Sequence, residues 1–544
     1  MSARPDHAPS LGERSSGVLL HPTSLPGRYG VGDLGASARR FVDFLAAAGQ
    51  RWWQMLPVGP TGYGDSPYSA ESAFAGNPLL IDLDALAGLA PWGEFDHERE
   101  ALPRDRVDYG AAGSLRGARL GELATAFAAR LSHHADERAR FTDFCEERRS
   151  WLDDFALYRA LKREAGGAAW TSWDPRLRGR DPAALARARE RLAGELAQGR
   201  FEQYVFAQQF AALRGYASAR GVGLLGDAPI FVAHDSADVW QHQALFRLDA
   251  RGMPEVIAGV PPDYFSRTGQ RWGNPLYQWD ELERHGYAWW IARVRTALER
   301  FSAVRLDHFI GFTRAWEIPA DQPTAELGRW ISGPGPGFFT ALRAALGIPE
   351  GGALPLVAED LGAVTPEVKA LRDRFGLPGM RVLQFAFGDD ASAPDFLPHS
   401  YPRRTVAYTG THDNDTAVGW FSDPGGGAST RSPEQAARER LVATSYLASD
   451  GRAVHWDMIR AVLASVADTA MFPLQDLLGL GAEARMNRPG VAEGNWTWRF
   501  HDEDLTRALA ERLARLTRLY GRTPEDPRDL DAPACLGAYG EADG

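Results

Sequence analysis

Eight short apolar runs constrain this chain more than any other feature. They fall at 16–22 (SGVLLHP), 51–58 (RWWQMLPV), 221–232 (GVGLLGDAPIFV), 303–309 (AVRLDHF), 354–360 (LPLVAED), 380–387 (MRVLQFAF), 405–413 (TVAYTGTHD) and 469–476 (TAMFPLQD). Most lead through a Gly-, Pro- or Asp-bearing loop into an amphipathic helix, the βα rhythm of a parallel sheet. After the first run, Phe41, Phe44, Leu45 and Ala48 fall at i, i+3, i+4 and i+7, and Gly49 ends the stripe. After the fifth, Thr365 and Pro366 cap a helix with the stripe Val368, Leu371 and Phe375, closed by Gly376. Both read as crossover helices, and eight such units predict an α/β fold, the (β/α)₈ or TIM barrel; an open doubly wound sheet shares the same local rhythm.

A bare barrel needs roughly 250 residues, so a chain of 544 carries about as much again in insertions on one catalytic domain, 1–544. These are expected at about 60–100, at 101–220 and at 236–285. Residues 115–220 have helical periodicity and dense charge and predict a mainly helical subdomain, whereas the outer two insertions are rich in Gly, Pro and aromatic residues. With 44% hydrophobic and 24% charged residues the chain reads as soluble and globular. A net charge of −11 and no basic block argue against nucleic acid as a partner. Cys145 and Cys535 are far apart and form no metal-type pair, and neither an apolar leader nor a membrane-length run is present, so a reducing, cytoplasmic setting without a membrane partner is expected. Oligomeric state is not legible.

Charge enters these runs at their C-terminal ends, where a barrel's chemistry is done. Asp227 ends the apolar part of the third run, Asp307 the fourth, Glu359 the fifth, and His412 with Asp413 the seventh. Arg305 and Asp307 are two apart and share a strand face, so the arginine can hold the carboxylate ionised, as a nucleophile requires. Burial and a neighbouring carboxylate would keep Glu359 protonated and able to donate. Two such carboxyls suit glycosidic bond cleavage, with Asp413 binding sugar hydroxyls. The same residue types also serve as caps and turns, and His412, Asp413 and Asp415 would suit a metal-dependent barrel enzyme, so the reaction class stays open on spacing alone.

Residues 261–279 (PPDYFSRTGQRWGNPLYQW) add Tyr264, Phe265, Trp272, Tyr277 and Trp279 in one insertion. Aromatic faces stack on sugar rings, and Gln270, Arg271 and Asn274 can hydrogen-bond hydroxyls, with Gly269 and Gly273 permitting a tight, mobile turn. The rings also suit the insertion's own small core, least so Trp272 at the turn.

Across these and further stretches (SLPGRYGVGDLG, GDSPYSAESAFAGNPLLIDL, GDAPIFVAHDSADVW, VRLDHFIGF, VAEDLG, GMRVLQFAF, YTGTHDNDT, NWTWRF) the chain closely resembles the amylomaltases, the 4-α-glucanotransferases of the α-amylase superfamily. The resemblance implies a (β/α)₈ barrel lacking a C-terminal β-sandwich domain. It implies Asp307 as nucleophile, Glu359 as general acid/base and Asp413 as transition-state stabiliser. Arg305, Asp227 and His412 would line the donor subsite, Tyr68 would stack on sugar, and Gln270 and Trp272 would close over the acceptor. Malto-oligosaccharides and α-1,4-glucans are the implied donors and acceptors, with no cofactor and no metal. The implied reaction retains configuration, with the Asp307 and Glu359 carboxyls about 5 to 5.5 Å apart; a retaining hydrolase on the same barrel is the alternative. One departure is Ile310, where many relatives carry Arg, beside the nucleophile and outside the catalytic roles.

Overall fold

The computed structural model describes residues 9–90, 102–262, 267–427 and 429–523. Each of the eight apolar runs contributes a strand to one parallel sheet: β1 (Ser15–Leu19), β2 (Trp52–Gln54), β3 (Gly223–Pro229), β6 (Ala303–Asp307), β9 (Leu356–Ala358), β10 (Gly379–Val382), β11 (Thr405–Tyr408) and β12 (Thr469–Pro473). Their order is β10-β11-β12-β1-β2-β3-β6-β9. The Ala358 N–H donates to Pro378 O at 2.9 Å, bringing β9 to the start of β10 and nearly closing the barrel. Side chains alternate across the wall as a pleated strand dictates. Leu225, Ala303, Val357, Val406 and Met471 fill the interior, while Leu224, Val304, Leu356, Ala407 and Phe472 face the helices.

The two crossover helices form over Ala36–Ala47 and Pro366–Arg374. Phe41, Phe44 and Leu45 are buried in the first, and Gly49 takes φ 70° just after it. Pro366 opens the second, but the Thr365 hydroxyl makes no capping bond, so proline geometry rather than a side-chain cap starts that helix.

Between β2 and β3 lie the helices Tyr109–Leu131, Ala135–Glu147, Arg149–Glu164, Pro182–Arg191 and Ala193–Ala219. The last runs about 40 Å at 1.5 Å per residue. Its first half packs Phe201 and Tyr204 against Phe127 and Phe141, and its second half packs Phe210 on Phe301, beside the barrel wall.

A second sheet was not legible in the sequence. Strands β4 (Val256–Val260), β5 (Gln270–Pro275), β7 (Arg314–Pro319) and β8 (Arg329–Ser332) pair antiparallel in the order β5-β4-β7-β8. The stretch around Gln270 is thus a strand and not the mobile turn expected from its glycines. Gly259 permits it: a Cβ there would lie 2.2 Å from Gln270 O, at an irregularity in the β4–β5 ladder. After β12 the described residues form helices and turns without a further sheet. Among the described residues no helix is long and apolar enough to cross a membrane.

Candidate active site

Parallel register builds the centre of the site. Asp227 on β3 stands opposite Arg305 on β6, and Pro229 opposite Asp307, so Asp227, Arg305 and Asp307 project from the same inner face. Arg305 Nη2 lies 2.7 Å from Asp307 Oδ1 and 2.8 Å from Asp227 Oδ2, and its Nε donates to Asp227 Oδ2 at 3.0 Å. The Tyr68 hydroxyl donates to the same Asp227 oxygen at 2.7 Å. Asp227 Oδ1 is buried and has no partner among the described residues. Burial opposes the charge on Arg305, but Asp227, Tyr68 and Asp307 more than offset it, so the guanidinium stays cationic. Asp307 retains 29% exposure.

Glu359 lies one residue beyond β9, so the strand expected over 354–360 ends at Ala358. Its carboxyl accepts the His308 N–H at 2.7 Å and the Leu361 N–H at 2.9 Å. Burial raises both Glu359 and Asp307 above the usual carboxyl range. Beyond burial the two differ. Asp307 is drawn back down chiefly by the Arg305 charge, against the charges of Asp227 and Asp413, whereas the largest further influence on Glu359 is the Asp307 charge, which raises it. A pair sharing one proton therefore holds it on Glu359, with the anion on Asp307 beside the guanidinium.

His412 and Asp413 follow β11 in the turn that leads to the helix Ala417–Ser422. The His412 ring stacks on Tyr68, centroids 5.1 Å apart at 11°. Burial lowers the imidazole below its ordinary value. Asp413 Oδ1 accepts from Asn487 Nδ2 at 2.6 Å, and its backbone carbonyl accepts from Arg485 Nη2 at 2.6 Å. Asp415 accepts the N–H of its neighbour Thr416 at 2.8 Å and lies 3.9 Å from Arg485 Nη1. Among the described residues no group of three or more His, Cys, Asp or Glu gathers at metal-binding distances.

The other wall is β5. Trp272 is 38% exposed, donates through Nε1 to Gln270 Oε1 at 3.1 Å, and meets the His308 ring edge-on at 4.7 Å. Asn274 sits on the same strand, but its Nδ2 already donates to Val232 O at 2.8 Å, which anchors β5 to the segment after β3. Arg271 is likewise engaged, with the carbonyls of Gln322 and Ala320. Tyr277 is buried with its hydroxyl on Ile230 O, and Trp279 packs on Tyr277, Trp290 and Phe312, so these two rings are core. Tyr264 and Phe265 lie outside the described residues. Ile310, three residues after Asp307, is buried in the hydrophobic core.

Three neighbours were not assigned from sequence. Asn487 and Arg485 hold Asp413, and Trp496 packs near Tyr68 and His412, at 5.9 and 6.0 Å. Trp496 lies in NWTWRF, whose aromatic density was its one signal.

The proton arrangement carries a pH prediction. Catalysis that needs Asp307 ionised and Glu359 protonated is lost at low pH through Asp307 and at high pH through Glu359, and the raised Glu359 sets the alkaline limb of kcat/KM above the ordinary glutamate range. With an activated substrate whose leaving group needs no protonation that limb disappears; its persistence would remove Glu359 from this role.

A family model described as 4-alpha-glucanotransferase matches residues 20–506. The 4-alpha-glucanotransferase of Thermus thermophilus is 50% identical over 518 residues, 92% of this chain and 99% of that protein. The Synechocystis protein of the same name is 46% identical over 517 residues, 94% of this chain and 99% of its own. An amylomaltase from Streptococcus agalactiae, solved with acarbose, superposes with a TM-score of 0.87 at 36% identity, covering 94% of this chain and all of that one.

Proposed function

The chain belongs to the 4-alpha-glucanotransferase family, and on that premise we propose how its residues divide the work of transferring a glucan segment. Asp307 attacks the anomeric carbon of an α-1,4-linked glucan while Glu359 protonates the departing oxygen, giving a β-glucosyl-enzyme. Glu359 then takes the proton from the 4-hydroxyl of a second glucan or malto-oligosaccharide, which displaces Asp307 with net retention. Asp413 stabilises the oxocarbenium-like transition state, held for this by Asn487. Arg305, Asp227 and His412 line the donor subsite, with Asp227 acting through Arg305 and the Tyr68 hydroxyl that it accepts from. Tyr68, Gln270 and Trp272 contribute stacking and acceptor contacts, and Asn274 acts by fixing β5.

The observation that carries this reading is the asymmetry of the two carboxyls: the Arg305 guanidinium lies 2.7 Å from Asp307 and favours its anion, whereas beyond burial the largest influence on Glu359 is the Asp307 charge, which keeps it protonated. A cytoplasmic role in carbohydrate metabolism fits this substrate class and the free thiol of Cys145.

Transfer must outcompete water, and an exposed Trp272 on the acceptor wall is placed to shield the intermediate. With maltotriose as sole substrate, free glucose and longer chains are expected while total reducing ends stay constant; a steady rise in reducing ends would indicate the hydrolase alternative. In the same assay Trp272→Ala is expected to raise the ratio of hydrolysis to transfer about tenfold, roughly 1.4 kcal/mol of partitioning. An unchanged ratio would count against the shielding role.

A further inference from the structure

His308 follows the last residue of β6 in a left-handed conformation, φ 51° and ψ 53°, which a non-glycine residue keeps only where its surroundings hold it. The turn aims its backbone N–H at Glu359 Oε2, 2.7 Å away, and the next N–H, of Phe309, donates to Glu359 O at 3.0 Å. The side chain reaches the acceptor wall. Its ring meets Trp272 edge-on at 4.7 Å and lies 6.3 Å from Phe231. Its buried Nε2 has no partner among the described residues. Burial pushes the imidazole down to about 4, so the ring is neutral at working pH and offers Trp272 an uncharged surface.

We propose that His308 is a positioning residue that couples the seating of Trp272 on the acceptor wall to the state of Glu359, because one strained residue supplies both the ring that Trp272 meets and the N–H that holds the acid/base. The proposal rests on the roles given above to Glu359 and Trp272. When Trp272 is seated, residue 308 keeps its left-handed turn and Glu359 stays held by the amide. When it is not, the turn relaxes and the amide swings away. An N–H donated to a carboxylate favours the ionised form, so loosening it raises the proton affinity of Glu359 and moves the alkaline limb of kcat/KM upward.

The test is the pH dependence of kcat/KM for maltotriose in Trp272→Ala, in His308→Asn and in the double variant. Asn is among the residues that tolerate the left-handed region, so His308→Asn keeps the backbone donor and removes the ring. Trp272→Ala is expected to move the alkaline limb up by about half a pH unit, whereas His308→Asn, which keeps the turn without the ring, leaves the limb in place and abolishes its response to Trp272→Ala in the double variant. Superposition of the Trp272→Ala limb on that of the unmutated enzyme, or the full Trp272→Ala shift persisting in the double variant, would overturn the coupling. The Trp272→Ala comparison decides even if His308→Asn fails to fold. An unmutated enzyme that releases reducing ends without transfer products would instead overturn the transferase reading, and the limb comparison would still be measurable.

Discussion

Asp307→Asn is expected to lower kcat/KM for maltotriose at least about 10⁴-fold, a barrier increase of roughly 5.5 kcal/mol, while the Kd for a malto-oligosaccharide changes by no more than about threefold. Asparagine keeps the shape of the side chain and an oxygen for Arg305 Nη2, but it carries no anion to attack the anomeric carbon. The fold should survive, because Arg305 keeps its two contacts to Asp227 at 2.8 and 3.0 Å and is not left as an unpaired buried charge. Titration calorimetry beside a product assay separates the two quantities. A variant with near-normal turnover would remove Asp307 as nucleophile, and a variant that neither binds nor turns over would mean the substitution acted on the site's architecture.

Glu359→Gln has the second largest expected effect, and it depends on the leaving group. With maltotriose, kcat/KM should fall by about 10³- to 10⁴-fold, in the upper range for loss of a positioned general acid. With a maltosyl fluoride the first displacement proceeds without that acid, and the second then lacks its base, so the covalent intermediate should accumulate. The glutamine has one acceptor oxygen for the two N–H groups of His308 and Leu361 that the two carboxyl oxygens now accept. It therefore also destabilises the protein by about 1–3 kcal/mol, visible as a lower Tm.

The parts of this molecule legible in its sequence are those where a residue's environment is set by local period. A barrel strand is buried, so the charges of Arg305, Asp307 and Glu359 at the ends of apolar runs are conspicuous in the sequence alone. Register then turned that hint into geometry, since the β3–β6 pairing places Asp227 across from Arg305. What could not be read depends on pairing between distant segments. Strand β4 pairs with β5 and with β7, which lies on the far side of β6, and nothing in a Gly- and aromatic-rich stretch announces such a partner. Asn487 and Trp496 reach the site from a loop more than seventy residues after Asp413, in sequence without apolar period. Conversely, Asn274, Arg271, Tyr277 and Trp279 had the right chemistry for sugar, and the structure shows their polar groups or faces already engaged with protein. Composition identifies a capable side chain, but only packing tells whether that capacity is free.

Whether Asp307 carries the sugar is decided by the intact mass of Glu359→Gln after exposure to a maltosyl fluoride, followed by peptide mapping. A protein heavier by one maltosyl group is expected, with the added mass on the peptide that contains Asp307. An adduct on the Asp413 peptide, or release of maltose with inverted configuration and no adduct at any time, would contradict a nucleophilic Asp307.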